Sequence, residues 1–397
     1  MDIEIRQARP EDAPGIRDVF RAAYGEEYFR PEVYDLAALR RWITGADDLV
    51  FVATRPGGAV LGTAMVDLRV RAGDGDVGEF GRLCVRPSAC GLGLGTRLMR
   101  ARLRAAGRRL RLGLSETRAG VPASTAIGLR HGFRPAGFLP STHRFATRES
   151  SILMVRPFGG AFARRRPVPR LVPEAAPVAR LALRALGLPE DVAVAAAAEE
   201  GPPGREGGVD VVPVDAPEFE EGLAAHRRGR IAGRLTWRWS RRHRRAVLGT
   251  LRAADDAARH ALLAAMVEEA ERRDALYLEA DVGTAELAAQ RSLVVLGFRA
   301  GGFLPAAAPG SSGRQDLVRM VRVHPAADLG PLDLHPAVRP MAAAVLEGVG
   351  VTTAGPAVPS PIGDRSMPGS VPARPGRAGG AGGRERPGRP ISSCVPG

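Results

Sequence analysis

The text GFRPAGFLP at residues 132–140 returns as GFRAGGFLP at 297–305, and ILMVRP at 152–157 finds a partner in LVRMVRV at 317–323. An offset of 165 or 166 residues holds at both ends of this echo. No other feature constrains the fold as strongly, because a chain that repeats its text at one fixed distance repeats a structural unit. At 397 residues there is room for two ordinary domains, and 45% apolar residues supply a core for each. We therefore expect two copies of one fold in tandem: residues 1–157, a linker at 158–208, a second unit at 209–325 and a tail at 326–397.

Within the first unit, strand-like and helix-like segments alternate. Ile3 to Arg6 is a short strand, and Pro10-Glu11-Asp12-Ala13-Pro14 opens a helix carrying Ile16, Val19, Phe20 and Ala23, with acidic residues in its first turn. Leu36 to Ile43 gives a second helix. Strands are expected at Leu49–Ala53, Val60–Leu68 and Phe80–Val85, the first two parted by the turn Arg55-Pro56-Gly57-Gly58. A helix at Thr96–Ala106, a strand at Arg111–Ser115, a helix near Ser124–Arg130 and strands at Phe133–Phe138 and Ile152–Arg156 complete it. The order β-α-α-β-β-β-α-β-α-β-β makes an α/β (α+β) unit around a mixed sheet.

The linker holds a triple Arg at 164–166, one helical stretch (Val178 to Leu186) and the Pro-Gly-rich text GPPGREGG. From 351 onward the sequence is Gly, Pro, Ser and Arg without apolar pattern, which predicts a disordered tail. The formal charge of +14 comes entirely from Arg, since the chain contains no Lys, and no aromatic-basic interleaving accompanies it. Nucleic acid is accordingly not the expected partner. Neither the opening MDIEIRQARPEDAP nor any apolar run has the form of a signal peptide or a membrane span. Cys84, Cys90 and Cys394 lack the even count and spacing of a disulfide framework or zinc site. A cytoplasmic protein without a metal is the simplest expectation.

The stretch Cys90-Gly91-Leu92-Gly93-Leu94-Gly95-Thr96-Arg97 lies between a strand and a helix. Glycines there leave amides uncovered at the positive end of the helix, a ready site for phosphate. A Walker-type loop is excluded for want of Lys. A dinucleotide fingerprint would use Gly91, Gly93 and Glu116, but its third glycine is Thr96, and three strands and two helices precede the strand that feeds the loop, where such domains use their first strand.

Val85 to Met99, V-R-P-S-A-C-G-L-G-L-G-T-R-L-M, resembles the pyrophosphate loop of the GNAT N-acetyltransferase superfamily, V-x-P-x-x-R-G-x-G-x-G-x-x-L. The element order is similar too, as is the Gly132-Phe133 pair after the last main helix; for residues 209–323 the likeness is much weaker. The resemblance implies acetyl-CoA or another acyl-CoA as cosubstrate, lying between splayed strands Phe80–Val85 and Arg111–Ser115. Leu83, Cys84 and Val85 would hold the pantetheine arm, and Cys90, Gly91, Leu92, Gly93, Leu94, Gly95 and Thr96 the pyrophosphate. It further implies direct attack by an amine of a small molecule or peptide on the thioester, with Glu79 either the water-linked general base or a solvated strand-end carboxylate.

Two positions depart from the family pattern. Cys90 replaces the Arg or Gln before the first glycine, and Gly128 replaces the Tyr that would protonate the leaving thiolate. Substitute acids are Ser124, Thr125, His131 and His143, among which His131 is best placed by sequence, beside Gly132. Cys84 and Cys90 are expected to pack rather than act as nucleophiles. In the second unit the glycine loop falls on Asp256 to Leu263, where Asp255 and Asp256 would cap a helix and repel phosphate, so this copy is degenerate. Its cluster of Trp237, Trp239, Arg238, Arg241, Arg242, Arg244 and Arg245 is either a wall of the acceptor pocket or a solvated loop with its tryptophans in the core. Besides an N-acyltransferase, the sequence admits an O- or S-acyltransferase and a non-catalytic acyl-CoA sensor or scaffold.

Overall fold

The computed structural model describes residues 2–68, 76–166, 168–196, 208–216, 221–310 and 313–351. The GPPGREGG text and the tail beyond 351, predicted to be disordered, lie almost wholly outside these residues. The first half runs β1 (Glu4–Gln7), α1 (Ala13–Tyr24), α2 (Leu36–Thr44), β2 (Asp48–Thr54), β3 (Val60–Asp67), β4 (Val77–Val85), α3 (Leu94–Ala106), β5 (Leu112–Arg118), α4 (Pro122–Arg130), β6 (Arg134–Arg144) and β7 (Arg148–Pro157). A short connecting region follows, with β8 (Arg170–Leu171), α5 (Ala176–Ala185) and β9 (Ala193–Val194). Then come β10 (Val209–Val214), β11 (Glu221–Arg227), β12 (Arg230–Ser240), β13 (Arg245–Ala253), α6 (Asp256–Arg272), β14 (Tyr277–Gly283), α7 (Leu287–Val295), β15 (Arg299–Gly310), β16 (Gly313–Val323) and α8 (Arg339–Gly348).

Among the described residues fourteen strands form one sheet, ordered β1-β2-β3-β4-β5-β7-β6-β15-β16-β14-β13-β12-β11-β10. The order of the second half mirrors that of the first. In each half one parallel pair, β4 with β5 and β13 with β14, interrupts an otherwise antiparallel arrangement. Helices α1 and α2, which pack on β2, β3 and β4, have no counterpart among the described residues of the second half.

The halves meet where Gly137 of β6 pairs with Gly302 of β15. These are equivalent residues of the repeated text, so the echo in the sequence coincides with the seam. A Cβ on Gly137 would stand 2.5 Å from the Gly301 carbonyl oxygen and 2.7 Å from the Gly302 Cα, a separation only two bare backbones can hold. Helix α5 packs over both seam strands, burying Val178, Ala179, Ala182 and Leu183. Helix α8 covers the same strands with Met341, Ala342, Val345 and Leu346. The tail expected from 326 thus begins with a packed segment, because its apolar residues recur at helical spacing and have the seam to cover.

Candidate functional site

Strands β4 and β5 pair in parallel only at Val77–Leu112, Gly78–Gly113 and Glu79–Leu114. Beyond that point they separate, bridged once by the Ser115 hydroxyl donating to the Phe80 carbonyl at 2.9 Å. The separation has a cause in β4 itself. Its pairing with β3 slips between Met65–Gly81 and Thr63–Cys84, and Arg82 takes a left-handed φ of 53°. Arg102 of α3, fully buried, pins this bulge by donating to the carbonyls of Met65 at 3.0 Å and Gly81 at 2.9 Å. Burial without a carboxylate pushes its pKa down to about 9, and its guanidinium stands 5.5 Å from the Phe80 ring centroid.

The open end of this cleft leads to the glycine loop. Gly91 (φ 82°) and Gly93 (φ 67°) are left-handed, and Gly93 is the N-cap of α3. Among the described residues no hydrogen bond engages the amides of Gly91, Leu92 or Gly93. Leu94, Gly95 and Thr96 add the first helical amides, which have no intrahelical acceptor. A Cβ built on Gly91 or Gly93 would meet nothing within 4 Å, so among the described residues the space beside their Cα atoms is open. Gly95 serves packing instead: its Cβ would meet Ile127 of α4 at 3.0 Å. Six consecutive amides at a helix N-terminus suit a pyrophosphate.

Cys84 is buried, with its thiol directed at the Val19 carbonyl of α1 (3.8 Å) and its pKa pushed up to about 12 by burial. It is no nucleophile, and only its backbone could serve a ligand. Leu83 and Val85 are half-buried at the same strand end, near the loop. Glu79 is half-buried at the last paired position of β4, facing Asp67 across β3. His131 ends α4, its Nδ1 against the Ile127 carbonyl at 2.9 Å, a helix-terminating contact. Gly128 lies under Met154, whose sulfur a Cβ would meet at 3.2 Å. Ser124 is tied to the Val121 carbonyl, and Thr125 shares a buried hydrogen bond with Thr117.

His143 differs from the other candidates. Its Nε2 lies 3.0 Å from Glu116 Oε2, its ring lies tilted against Phe29 with centroids 4.4 Å apart, and its buried Nδ1 has no partner. Glu116 also accepts from Arg319 of the second half at 3.1 Å. Arg319 grips Asp281 through two bonds of 3.0 Å and approaches Glu279, which accepts from Arg245 and the Tyr277 hydroxyl, each at 2.9 Å. Burial pushes the Glu116 carboxyl upward, but the His143 hydrogen bond and the charges of Arg245 and Arg319 outweigh it and hold the group well below the usual range. Burial lowers His143 against the opposing pull of Glu116. Nearby, His243 of the second half donates from Nε2 to the Phe29 carbonyl (2.9 Å) and accepts the Arg144 amide on Nδ1 (3.1 Å). Sequence reasoning named His143 but not its partners, since Arg319 and Arg245 are remote in the chain.

Among the described residues of the second half no glycine loop precedes α6. Asp255 caps α6 by accepting the Ala258 amide at 2.9 Å, which fills the place of the glycine loop with a carboxylate. The Trp and Arg residues of 237–245 do not form one patch. Trp237 is in the core with Arg273 at 5.2 Å from its ring, Arg245 is committed to Glu279, and Arg242 pairs with Glu27. Among the described residues no group of three His, Cys, Asp or Glu is arranged to hold a metal, and no helix is long and apolar enough to cross a membrane.

A mixed sheet splayed at its one parallel pair, with a row of unengaged amides at the start of the following helix, defines an α/β domain whose cleft ends at a site suited to an anion. Residues 13–133 match the family model described as the acetyltransferase (GNAT) family, and this part of the chain is a GNAT domain. Solved structures similar to the chain include a GCN5-related N-acetyltransferase from Kribbella flavida (28% identity over 39% of this chain and 98% of that one, TM-score 0.35). A GNAT superfamily phosphinothricin acetyltransferase from Sinorhizobium meliloti in complex with AcCoA is 22% identical over 41% of this chain and 92% of that one, TM-score 0.37. The ribosomal-protein-S18-alanine N-acetyltransferase from Escherichia coli is 21% identical over 40% and 95%, TM-score 0.33. No curated protein matches the sequence.

Proposed function

We propose that the first half binds acetyl-CoA, or another acyl-CoA, and transfers the acyl group to an amine of a small molecule or peptide. The row of unengaged amides from Gly91 to Thr96, opening on free space beside the splayed β4 and β5, carries this reading. Bound there, the cosubstrate supplies an activated thioester. The amides hold its pyrophosphate, and the β4 edge at Leu83, Cys84 and Val85 receives the pantetheine arm. Glu79, at the point where the strands part, is placed to relay a proton through water; His131 stands by the same helix as the loop's partner Ile127 and is the second proton-transfer candidate.

Residues 209–325 serve on this reading as a degenerate copy that keeps the sheet order, loses the cradle to Asp255, and braces the first half through the seam. Helices α5 and α8 cover that seam.

Calorimetric titration with acetyl-CoA tests the proposal. The full-length protein binds saturably, and Gly93→Asp, which keeps a residue tolerant of the left-handed conformation but places a carboxylate in the cradle, does not. A panel of small amines and peptides is then scored for CoA release. No binding of acetyl-CoA, CoA or a longer acyl-CoA to the wild type removes the proposal. Binding without release by any acceptor favours a sensor, a role consistent with Gly128 filling the place of an acid.

A further inference from the structure

We propose that His143, oriented by Glu116, takes the proton-transfer role in place of Glu79 and His131, and that the second half exists in part to hold this pair in register. The inference rests on the acyltransferase reading above and names a catalytic group for it.

Four observations converge on the imidazole. Glu116 is on β5 two residues beyond the last parallel pair, so it projects from the strand that forms one wall of the cleft. Its carboxylate is held ionised and can only accept, so His143 Nε2 carries the proton of the hydrogen bond and Nδ1 presents a bare lone pair. That Nδ1 is buried, in a residue only 7% exposed, and has no partner. A buried polar atom of this kind calls for an explanation, and an absent substrate proton provides one. Finally, burial lowers the pKa of His143, which leaves the ring neutral and basic near neutral pH.

The surroundings describe how an acceptor arrives. Phe29, half-buried on the segment between α1 and α2, lies tilted against the imidazole, and Phe145 at 5.4 Å and Tyr28 at 4.7 Å surround the Phe29 ring. An acceptor amine must approach Nδ1 in the plane of the imidazole, past this aromatic wall. As its nitrogen attacks the thioester carbonyl, an N–C bond forms and the C–S bond breaks, with the electron pair leaving on sulfur. The proton lost by the amine goes to Nδ1, and the imidazolium returns it to the thiolate, giving amide and free thiol.

Glu116 and Arg319 are positioning residues in this scheme. Arg319 occupies the second carboxylate oxygen and is itself fixed by Asp281 and Glu279, so the orientation of the imidazole is set from the other half of the sheet.

Imidazole 15N shifts of full-length protein labelled at histidine read the tautomer without any acceptor, with His143→Asn assigning the signal. The groups facing the ring are Glu116 from β5, Glu149 from β7, Arg30 beside Phe29, and His243 and Arg245 from the second half. The expected spectrum shows a neutral ring at pH 7, protonated on Nε2. With an amine found by the release screen, His143→Asn lowers kcat by about 100-fold or more while acetyl-CoA affinity is unchanged. The near-isosteric Glu116→Gln guards against misfolding. It lowers kcat about tenfold or more and moves the acid limb of the pH profile to lower pH, because the carboxylate no longer stabilises the imidazolium. A ring protonated on Nδ1, or a His143→Asn enzyme with near wild-type kcat and the same limb, overturns the inference. Absence of acetyl-CoA binding by the wild type overturns the acyltransferase reading instead, and with it this one.

Discussion

His243 keeps both ring nitrogens occupied only while it carries a single proton: Nε2 donates to Phe29 and Nδ1 accepts from Arg144. Burial, reinforced by the charges of Arg245 and Arg242, pushes its pKa down to about 4 against the pull of the Phe29 carbonyl. An unfolded histidine titrates near about 6.5. Between those values the unfolded chain takes up a proton that the fold refuses, so stability falls as pH is lowered, by at most about 1.4 kcal/mol per unit. His143 adds to the same trend, and the depressed Glu116 carboxyl extends it below about pH 4.3. The denaturation midpoint should drop between pH 6.5 and 4, and His243→Asn should flatten that slope; a wild-type midpoint unchanged over the interval contradicts the assignment. At this scale the glycine loop was legible because left-handed backbone and bare amides demand glycine locally. The partners of His143 were not, because a buried ion pair joins residues by three-dimensional proximity, and Glu116 and Arg319 are separated by 203 positions.

The elements of the first half follow the apolar periodicity, and their order matches the expectation, but their ends do not. Strand β6 reaches Arg144 where apolar text predicted an end at Phe138, since Ser141, Thr142 and His143 are buried polar residues that an apolar pattern does not mark. The bulge of β4 was equally hidden. It depends on Arg102, a residue that reads as the solvated face of an amphipathic helix and is instead its most buried cation. Arg102→Leu leaves the Met65 and Gly81 carbonyls unsatisfied and should cost about 2 kcal/mol of stability. Because the bulge sets the parting of β4 from β5, acetyl-CoA affinity should fall more than stability alone explains. Equal affinity in a folded Arg102→Leu protein would show that the splay does not depend on this contact.

On the scale of the whole molecule, the repeat in the sequence marked the place where two half-sheets become one. What it could not disclose was that the repeated glycines face each other, or that residues past 326 return to cover them. Gly137→Ala should destabilise the protein by about 1–3 kcal/mol, because the opposing atoms are backbone and cannot yield. The loss should appear as earlier unfolding of both halves together; independent unfolding of an unaffected first half would mean that the seam does not couple them. The most direct test of the proposed ligand is hydrogen exchange across residues 86–98, with and without acetyl-CoA. The amides of Gly91 to Thr96 should exchange freely in the apo protein and slow markedly on saturation, with Gly93→Asp showing no such change. Saturable binding that leaves this segment as exposed as before would place acetyl-CoA elsewhere and contradict the cradle.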